Sequence, residues 1–246
     1  MIEHLSIDIT NCCSKQCSFC YNKSRKEGIT MWSSSELIEF ASDCITYGTK
    51  AVSLGGGEPF EYDGVFDVID ALYPQCYLSV TSNGLPLEED SIWKQLITHK
   101  PDKIHLTIHN PDSEAEVIRV ERRLQEIGKI GIKPGLNLLV GADKIYYVKE
   151  VYIRMRKILK KDQIILVPQR FSNTPNSKQL ASVTDGSPFQ SPSCLLKCKR
   201  PTNFCSVSWD KKVNSCSYAI GKEPLKSLDY KGLEEALQCV QWKGCL

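Results

Sequence analysis

Cys13, Cys17 and Cys20 stand at Cys-x3-Cys-x2-Cys spacing directly after an alternating apolar segment. Three thiolates this close in sequence can hold three irons of a [4Fe–4S] cube and leave the fourth iron open. An iron without a protein ligand can bind a substrate or cofactor, which sets this arrangement apart from a closed electron-transfer site. Zinc is the rival metal, but it wants a fourth Cys or His nearby, and only Cys12 is close.

Other polar groups follow apolar segments in the same way. Val52-Ser53-Leu54 runs straight into Gly55-Gly56-Gly57-Glu58-Pro59. Glycines there let the backbone approach a ligand closely, and Glu58 can accept from an ammonium group. Thr81-Ser82-Asn83-Gly84, Thr107 with His109, and Asn137 place small polar groups at the ends of three further segments. The 12 cysteines are unevenly spread: four within 12–20, Cys44 and Cys76 alone, and six within 194–245. Two clusters suggest two metal sites, where a disulfide framework would spread its cysteines more evenly.

The elements that must position these groups alternate along the chain. Strand candidates are Glu3–Thr10, Ala51–Gly55, Tyr77–Ser82, Lys103–His109, Gly135–Val140 and Gln163–Val167. Amphipathic helix candidates lie between and after them at Ser34–Tyr47, Val65–Leu72, Glu88–Thr98, Ser113–Gly128 and Ile145–Leu159, with Ser113 and Glu116 as a capping box and Gly128 as a stop. Near-continuous apolar strands argue for a parallel sheet covered by helices. Six units are too few for a closed eight-stranded barrel, so an open, partial (βα)6 barrel of the α/β class is expected, with active groups at the carboxyl ends of its strands. Arg170–Pro192 reads as a loop-like bridge. Beyond it lie six cysteines, a hairpin pattern (Cys205–Trp209, turn Asp210–Lys212, Val213–Tyr218) and a helix near Leu228–Val240. So short a segment buries little core, and a metal cluster is one remedy. The expected division is 1–171 as the core barrel, 172–193 as a bridge and 194–246 as a small cysteine-rich domain.

Composition bounds the rest. The chain has 246 residues, 41% apolar and 24% charged, with a formal net charge of +2. That balance gives no electrostatic argument for nucleic acid or an acidic membrane surface. No stretch approaches the roughly 20 apolar residues of a membrane span, and Met1–Asp8 does not read as a signal peptide. A cytoplasmic protein is expected, with no nucleic-acid or membrane partner. In a reducing compartment its cysteines are metal ligands or buried small hydrophobes.

At this point residues 3–171 resemble the radical S-adenosylmethionine (SAM) superfamily. The resemblance implies that Cys13, Cys17 and Cys20 ligate the cluster and that its open iron chelates the methionyl amino and carboxylate groups of S-adenosyl-L-methionine. It implies that Phe19 meets the adenine and that Gly56, Gly57 and Glu58 hold the methionyl ammonium. Ser82, Asn83, Thr107 or His109, and Asn137 stand where ribose or carboxylate is contacted, while Leu166 and Val167 would line the adenine. The implied chemistry is one-electron cleavage of the sulfonium to methionine and a 5′-deoxyadenosyl radical that abstracts hydrogen from the substrate. An electron donor such as flavodoxin or ferredoxin is implied with it.

The C-terminal cysteines resemble the first half of the SPASM and twitch extensions. Cys198 and Cys216 bracket a hairpin, and Cys239 and Cys245 flank the last helix, which implies a second, auxiliary [4Fe–4S] cluster. The closing pair is spaced more widely than usual, and Cys194 and Cys205 compete as ligands; Cys194, Cys198, Cys205 and Cys216 form the main rival set, with zinc as an alternative metal. Cys44 and Cys76 read as buried hydrophobes, His4 and His99 as structural or surface residues, and Arg154–Lys161 as a solvated helix face. His109 is open between a ligand contact and a loop tie, and Tyr146 and Tyr147 between core and substrate contact. Three reactions survive: oxidation or cross-linking of a small molecule or ribosomal peptide in natural-product biosynthesis; peptide epimerisation or thioether formation; and activation of a glycyl-radical enzyme.

Overall fold

The computed structural model describes residues 1–170, 172–184 and 200–243. Its elements, in chain order, are β1 (His4–Thr10), α1 (Ser34–Thr46), β2 (Ala51–Gly56), α2 (Val65–Leu72), β3 (Tyr77–Ser82), α3 (Asp90–Thr98), β4 (Lys103–Ile108) and α4 (Glu114–Lys129). There follow β5 (Lys133–Val140), α5 (Ile145–Met155), β6 (Ile164–Pro168), α6 (Ser177–Val183), β7 (Phe204–Val207), β8 (Lys212–Asn214), β9 (Glu223–Pro224) and α7 (Tyr230–Cys239). The α/β alternation expected from periodicity is the one observed, and the strands do not close into a barrel. Two compact units result, Met1–Asp102 with Arg200–Leu246, and Lys103–Lys199.

In the first unit the strands run in the order β3-β2-β1-β7-β8-β9. β1 pairs in parallel with both β2 and β7, and β7, β8 and β9 follow as antiparallel neighbours. Period-two alternation separates two faces. Leu5, Ile7, Val52, Leu54, Leu78, Val80, Cys205 and Val207 occupy one face and are almost wholly buried, the aliphatic ones each worth roughly 1.5–3 kcal/mol of burial. The α1 residues Leu37, Phe40, Ala41 and Cys44 join this core, where Cys44 comes close to Cys205. The opposite face carries Ser6, Asp8, Thr10, Ser53, Gly55, Ser79 and Thr81, and Ser206, Ser6, Ser53 and Ser79 stand level across four parallel strands.

A separate C-terminal domain was expected from residue 194. Instead the part described, from Arg200, packs as one unit with Met1–Asp102, because β7 extends the sheet at β1. Side chains reinforce the join. Trp32 donates through Nε1 to the Ser208 carbonyl, and Lys211 reaches Glu36 at 2.8 Å while lying over the Trp32 ring. Lys211 and the Ser33 capping box hold the Glu36 carboxyl down to about 2.

In the second unit β4, β5 and β6 are parallel neighbours. Three expectations are corrected here. Ser113 does cap α4, but Glu116 turns away from it and accepts from the His109 backbone and the Asn110 amide. The helix runs past Gly128 to Lys129, and the left-handed residue that turns the chain is Gly131, at φ +86°. The bridge expected over 172–193 contains α6, which supplies a sixth helix to the β-α series. Asn176 and Gln179 cap it reciprocally, and Leu180 and Val183 are its buried residues. Among the described residues no helix is long and apolar enough to cross a membrane.

Candidate active site

β1 ends at Thr10, and residues 11–29 form a closed excursion. Asn11 N donates to the Ile29 carbonyl, Cys13 N to Arg25, and Arg25 N back to Asn11, which pins both ends of the loop. Cys17 and Cys20 form the next turn, with Cys20 N bonded to the Cys17 carbonyl. Gln16 and Lys23 sit on either side of it at positive φ. Glu61 braces the loop from outside by accepting from the Ser14 backbone and hydroxyl. Cys12 points that way too, toward the Lys26 carbonyl and Glu61.

Gly56-Gly57-Glu58 continues the β1–β2 pairing past the end of the strand. Gly57 N donates to the Thr10 carbonyl at 2.7 Å and Glu58 N to the Cys12 carbonyl at 2.8 Å. A Cβ on Gly57 would sit 2.0 Å from the Cys12 oxygen. The close approach that glycine permits here is first of all to the cysteine loop's own backbone. Glu58 is fully buried and accepts from Phe60 N, Ser82 Oγ and Asn83 N at 3.2, 2.7 and 2.8 Å. Burial raises its carboxyl to about 7 against the pull of these three donors. Its oxygens meet donors from the turn after β2 and from the end of β3. Asn83 completes the chain of contacts by donating through Nδ2 to Cys13 Sγ at 3.6 Å, and burial pushes the Cys13 thiol up.

The expected triplet, glycines, Glu58, Ser82 and Asn83 therefore belong to one linked set in the first unit, with Phe19 half-buried on the loop. As they stand, no three His, Cys, Asp or Glu side chains among the described residues are gathered to hold a metal ion. Thiolate sites of this kind assemble with their metal. The donor chemistry fits an iron–sulfur cluster: three thiols on one loop, and an amide N–H already directed at one sulfur.

Thr107, His109, Asn137, Leu166 and Val167 belong to the second unit. Thr107 and Asn137 are register partners on one face. Val167 lies on that face by alternation, whereas Leu166 is fully buried on the other and does not line it. The His109 backbone N donates to Glu116 Oε1 at 2.7 Å, and its ring Nδ1 lies 3.7 Å from the same carboxylate. Tyr146 and Tyr147 are exposed and pack edge to face, so neither is core.

Of the C-terminal candidates, Cys194, Cys198 and Cys245 lie outside the described residues. Cys216 is half-buried and Cys239 exposed at the end of α7. Cys205, the rival ligand, is fully buried in the apolar core, where burial raises its thiol strongly.

Two polar residues were missed. His105 shares a face with Thr107, hydrogen-bonds Asn137, and is driven down to about 4 by burial, so its ring is neutral at physiological pH. Gly135 opposite leaves it room, since a Cβ there would meet the ring at 2.8 Å. Asp8 is 2% exposed on the serine-bearing face of β1, and burial raises it to about 6. Both were legible as polar residues at alternate positions of an otherwise apolar strand.

A family model described as the Radical SAM superfamily matches residues 7–168. A GTP 3′,8-cyclase of Clostridium perfringens is 25% identical over 171 residues, 67% of this chain and 47% of that protein. A probable GTP 3′,8-cyclase of Methanocella arvoryzae is 31% identical over 83 residues, 34% of this chain and 27% of that protein. The chain thus spans less than half the length of these relatives. Among solved structures, Streptococcus suis SuiB bound to S-adenosylmethionine superposes with a TM-score of 0.69 at 14% identity, covering 91% of this chain and 63% of that one. The anSMEcpe protein with bound AdoMet gives 0.64 at 15%, covering 97% and 80%. Likenesses at this identity establish the fold.

Proposed function

The chain belongs to the radical SAM superfamily, and from that premise we propose that it cleaves S-adenosylmethionine reductively and abstracts a hydrogen atom from its substrate. A [4Fe–4S] cluster and S-adenosylmethionine, the cofactors of this family, supply the electron transfer and the radical. Cys13, Cys17 and Cys20 would hold the cluster. Gly56 and Gly57 would offer backbone to the methionyl group, with Ser82, Asn83, Thr107 and Asn137 as polar contacts and Phe19 and Val167 against the adenine. Glu58 keeps the ends of β2 and β3 in place for this.

One observation carries the reading. Gly57 and Glu58 bond to Thr10 and Cys12 while Asn83 reaches the Cys13 sulfur, so the three parts of the expected motif are one hydrogen-bonded structure. The substrate reading is hydrogen abstraction from a small molecule or a peptide, leading to an oxidation or cross-link, in a cytoplasmic protein served by a flavodoxin or ferredoxin. SuiB has been captured with its precursor peptide, which supports the peptide arm. GTP cyclisation is the second reading, favoured by the names of the curated relatives. An auxiliary cluster on Cys198, Cys216, Cys239 and Cys245, with Cys194 in competition, belongs to the same proposal.

Anaerobically reconstituted protein, given dithionite and S-adenosylmethionine, is expected to release 5′-deoxyadenosine. Release no greater than from the Cys13→Ala, Cys17→Ala, Cys20→Ala variant would reject the enzyme reading. Iron near eight per chain supports two clusters, and near four supports one (about four irons each). GTP and a serine- and cysteine-containing peptide, each deuterated, separate the substrate arms by which one passes deuterium to 5′-deoxyadenosine.

A further inference from the structure

The cysteine loop ends in a turn that is basic and exposed. Residues 11–31 contain Lys15, Lys23, Arg25 and Lys26 against a single acid, Glu27. The whole chain has a formal charge of +2, so everything outside this loop sums to a net negative charge. Lys23, Arg25 and Lys26 stand exposed, as do Ile29 and Met31 just beyond them, at 59% and 55%. The apolar pair alternates with Thr30, whose hydroxyl donates to the Ile9 carbonyl, and Met31 N donates to the Trp209 carbonyl, so its backbone is fixed. The turn is fastened to the cysteines directly. Lys23 N donates to the Cys20 carbonyl at 3.1 Å, Cys13 N to the Arg25 carbonyl at 2.9 Å, and Cys12 Sγ to the Lys26 carbonyl at 3.2 Å. A Cβ on Gly28 would sit 2.0 Å from the Asn11 oxygen, so turn and loop meet backbone to backbone there. Cys13 and Cys20 are thus each one hydrogen bond from the exposed turn.

We propose that Lys23, Arg25 and Lys26, with Ile29 and Met31 beside them, form the docking surface for a small acidic one-electron carrier protein. Its role rests on the reading of Cys13, Cys17 and Cys20 as cluster ligands. Charge complementarity selects the partner, because an acidic carrier is drawn to the one loop that holds the chain's positive excess and is turned to face it. Exposed apolar residues with a charged rim suit a small, transient interface, and they favour a protein over a nucleoside triphosphate as the occupant. The carrier's reduced flavin or iron–sulfur group gives up one electron and the cluster gains it, with no bond made or broken. The bonds from Lys23 to Cys20 and from Cys13 to Arg25 give that electron a short bonded route from the surface to two ligand residues.

The test is calorimetric titration of reconstituted protein with oxidised flavodoxin and, separately, oxidised ferredoxin. At least one should bind at low ionic strength and weaken steeply as salt is raised. Arg25→Glu/Lys26→Glu should weaken that binding by about tenfold or more, through the loss and reversal of two exposed charges. Lys94→Glu/Lys231→Glu, the same change of net charge placed on α3 and α7, should stay within about twofold of wild type. Ile29→Ser/Met31→Ser should lower affinity and leave the salt dependence as in wild type. With dithionite the charge variants should release 5′-deoxyadenosine as wild type does, while carrier-driven release should fall in Arg25→Glu/Lys26→Glu alone. Where the reversal lowers iron uptake, Arg25→Gln/Lys26→Gln removes charge without adding any and should still weaken binding roughly threefold. The docking surface is overturned if wild type binds neither carrier, if the turn variant binds as wild type does, or if both reversals weaken binding equally. Loss of GTP binding in the turn variant, with carrier binding intact, would assign these cations to a nucleotide instead. A wild type that binds a carrier through the turn yet releases no 5′-deoxyadenosine with dithionite would keep the docking surface and overturn the enzyme reading.

Discussion

Glu58 accepts three hydrogen bonds, two of them from backbone N–H groups that cannot reverse direction. Glu58→Gln must turn its NH2 toward one of those N–H groups, so the variant should lose about 1–3 kcal/mol at acid pH. The pH dependence has a definite sign. Because the folded carboxyl is raised to about 7 from an ordinary 4.5, its contribution is complete below about 4.5 and is lost as pH rises to about 7. Urea unfolding across that window should show the gap between wild type and Glu58→Gln narrowing with pH, by about 3 kcal/mol at most. A gap that widens would reject the buried-carboxylate account. The Gly-Gly-Glu run itself was plain in the sequence. What the acid contacts was not, because donors from Phe60, Ser82 and Asn83 are brought to it only by the pairing of β2 with β3. Asp8 was legible as a polar residue at an alternate position of β1, but its burial was not, because one acid in a strand reads equally as a solvated face.

Most elements were legible because each buries one periodic face. Where the structure departs from the periodic reading, local capping decides. Arg170–Pro192 is rich in Ser, Asn, Pro and Gln, and that composition hid the Asn176–Gln179 capping box that starts α6. Glycine positions make the sharpest contrast between elements. Gly131 follows α4 with nothing within 4 Å of the point where a methyl group would stand, so Gly131→Ala should cost about 1 kcal/mol through its positive φ alone. Gly57→Ala instead drives a methyl group into the Cys12 carbonyl and breaks the pairing of loop and strand. It should cost more than about 3 kcal/mol and sharply reduce iron uptake, read by chemical unfolding and iron assay. Equal losses for the two variants would show that the loop yields where the geometry says it cannot.

At the scale of the whole molecule, the cysteine spacing made the C-terminal segment look like an appendage, and only strand pairing reveals otherwise. Nothing local in Phe204–Val207 says that it aligns with His4–Ile7. Removing everything after Lys199 should therefore expose the edge of β1 and the core around Cys44 and Trp32, giving aggregates by size-exclusion chromatography and a shifted Trp fluorescence. A monomeric, cooperatively melting truncation would refute this. The same pairing sets a timetable. β7 is roughly 200 residues downstream of β1, so at ~5–20 residues per second the ribosome delivers it roughly 10–40 s later. Throughout that interval the first strand made is an open template for any passing strand. Birth of this protein thus includes a long wait in which its earliest-made strand must be shielded, and the speed of translation becomes a determinant of how much of it survives.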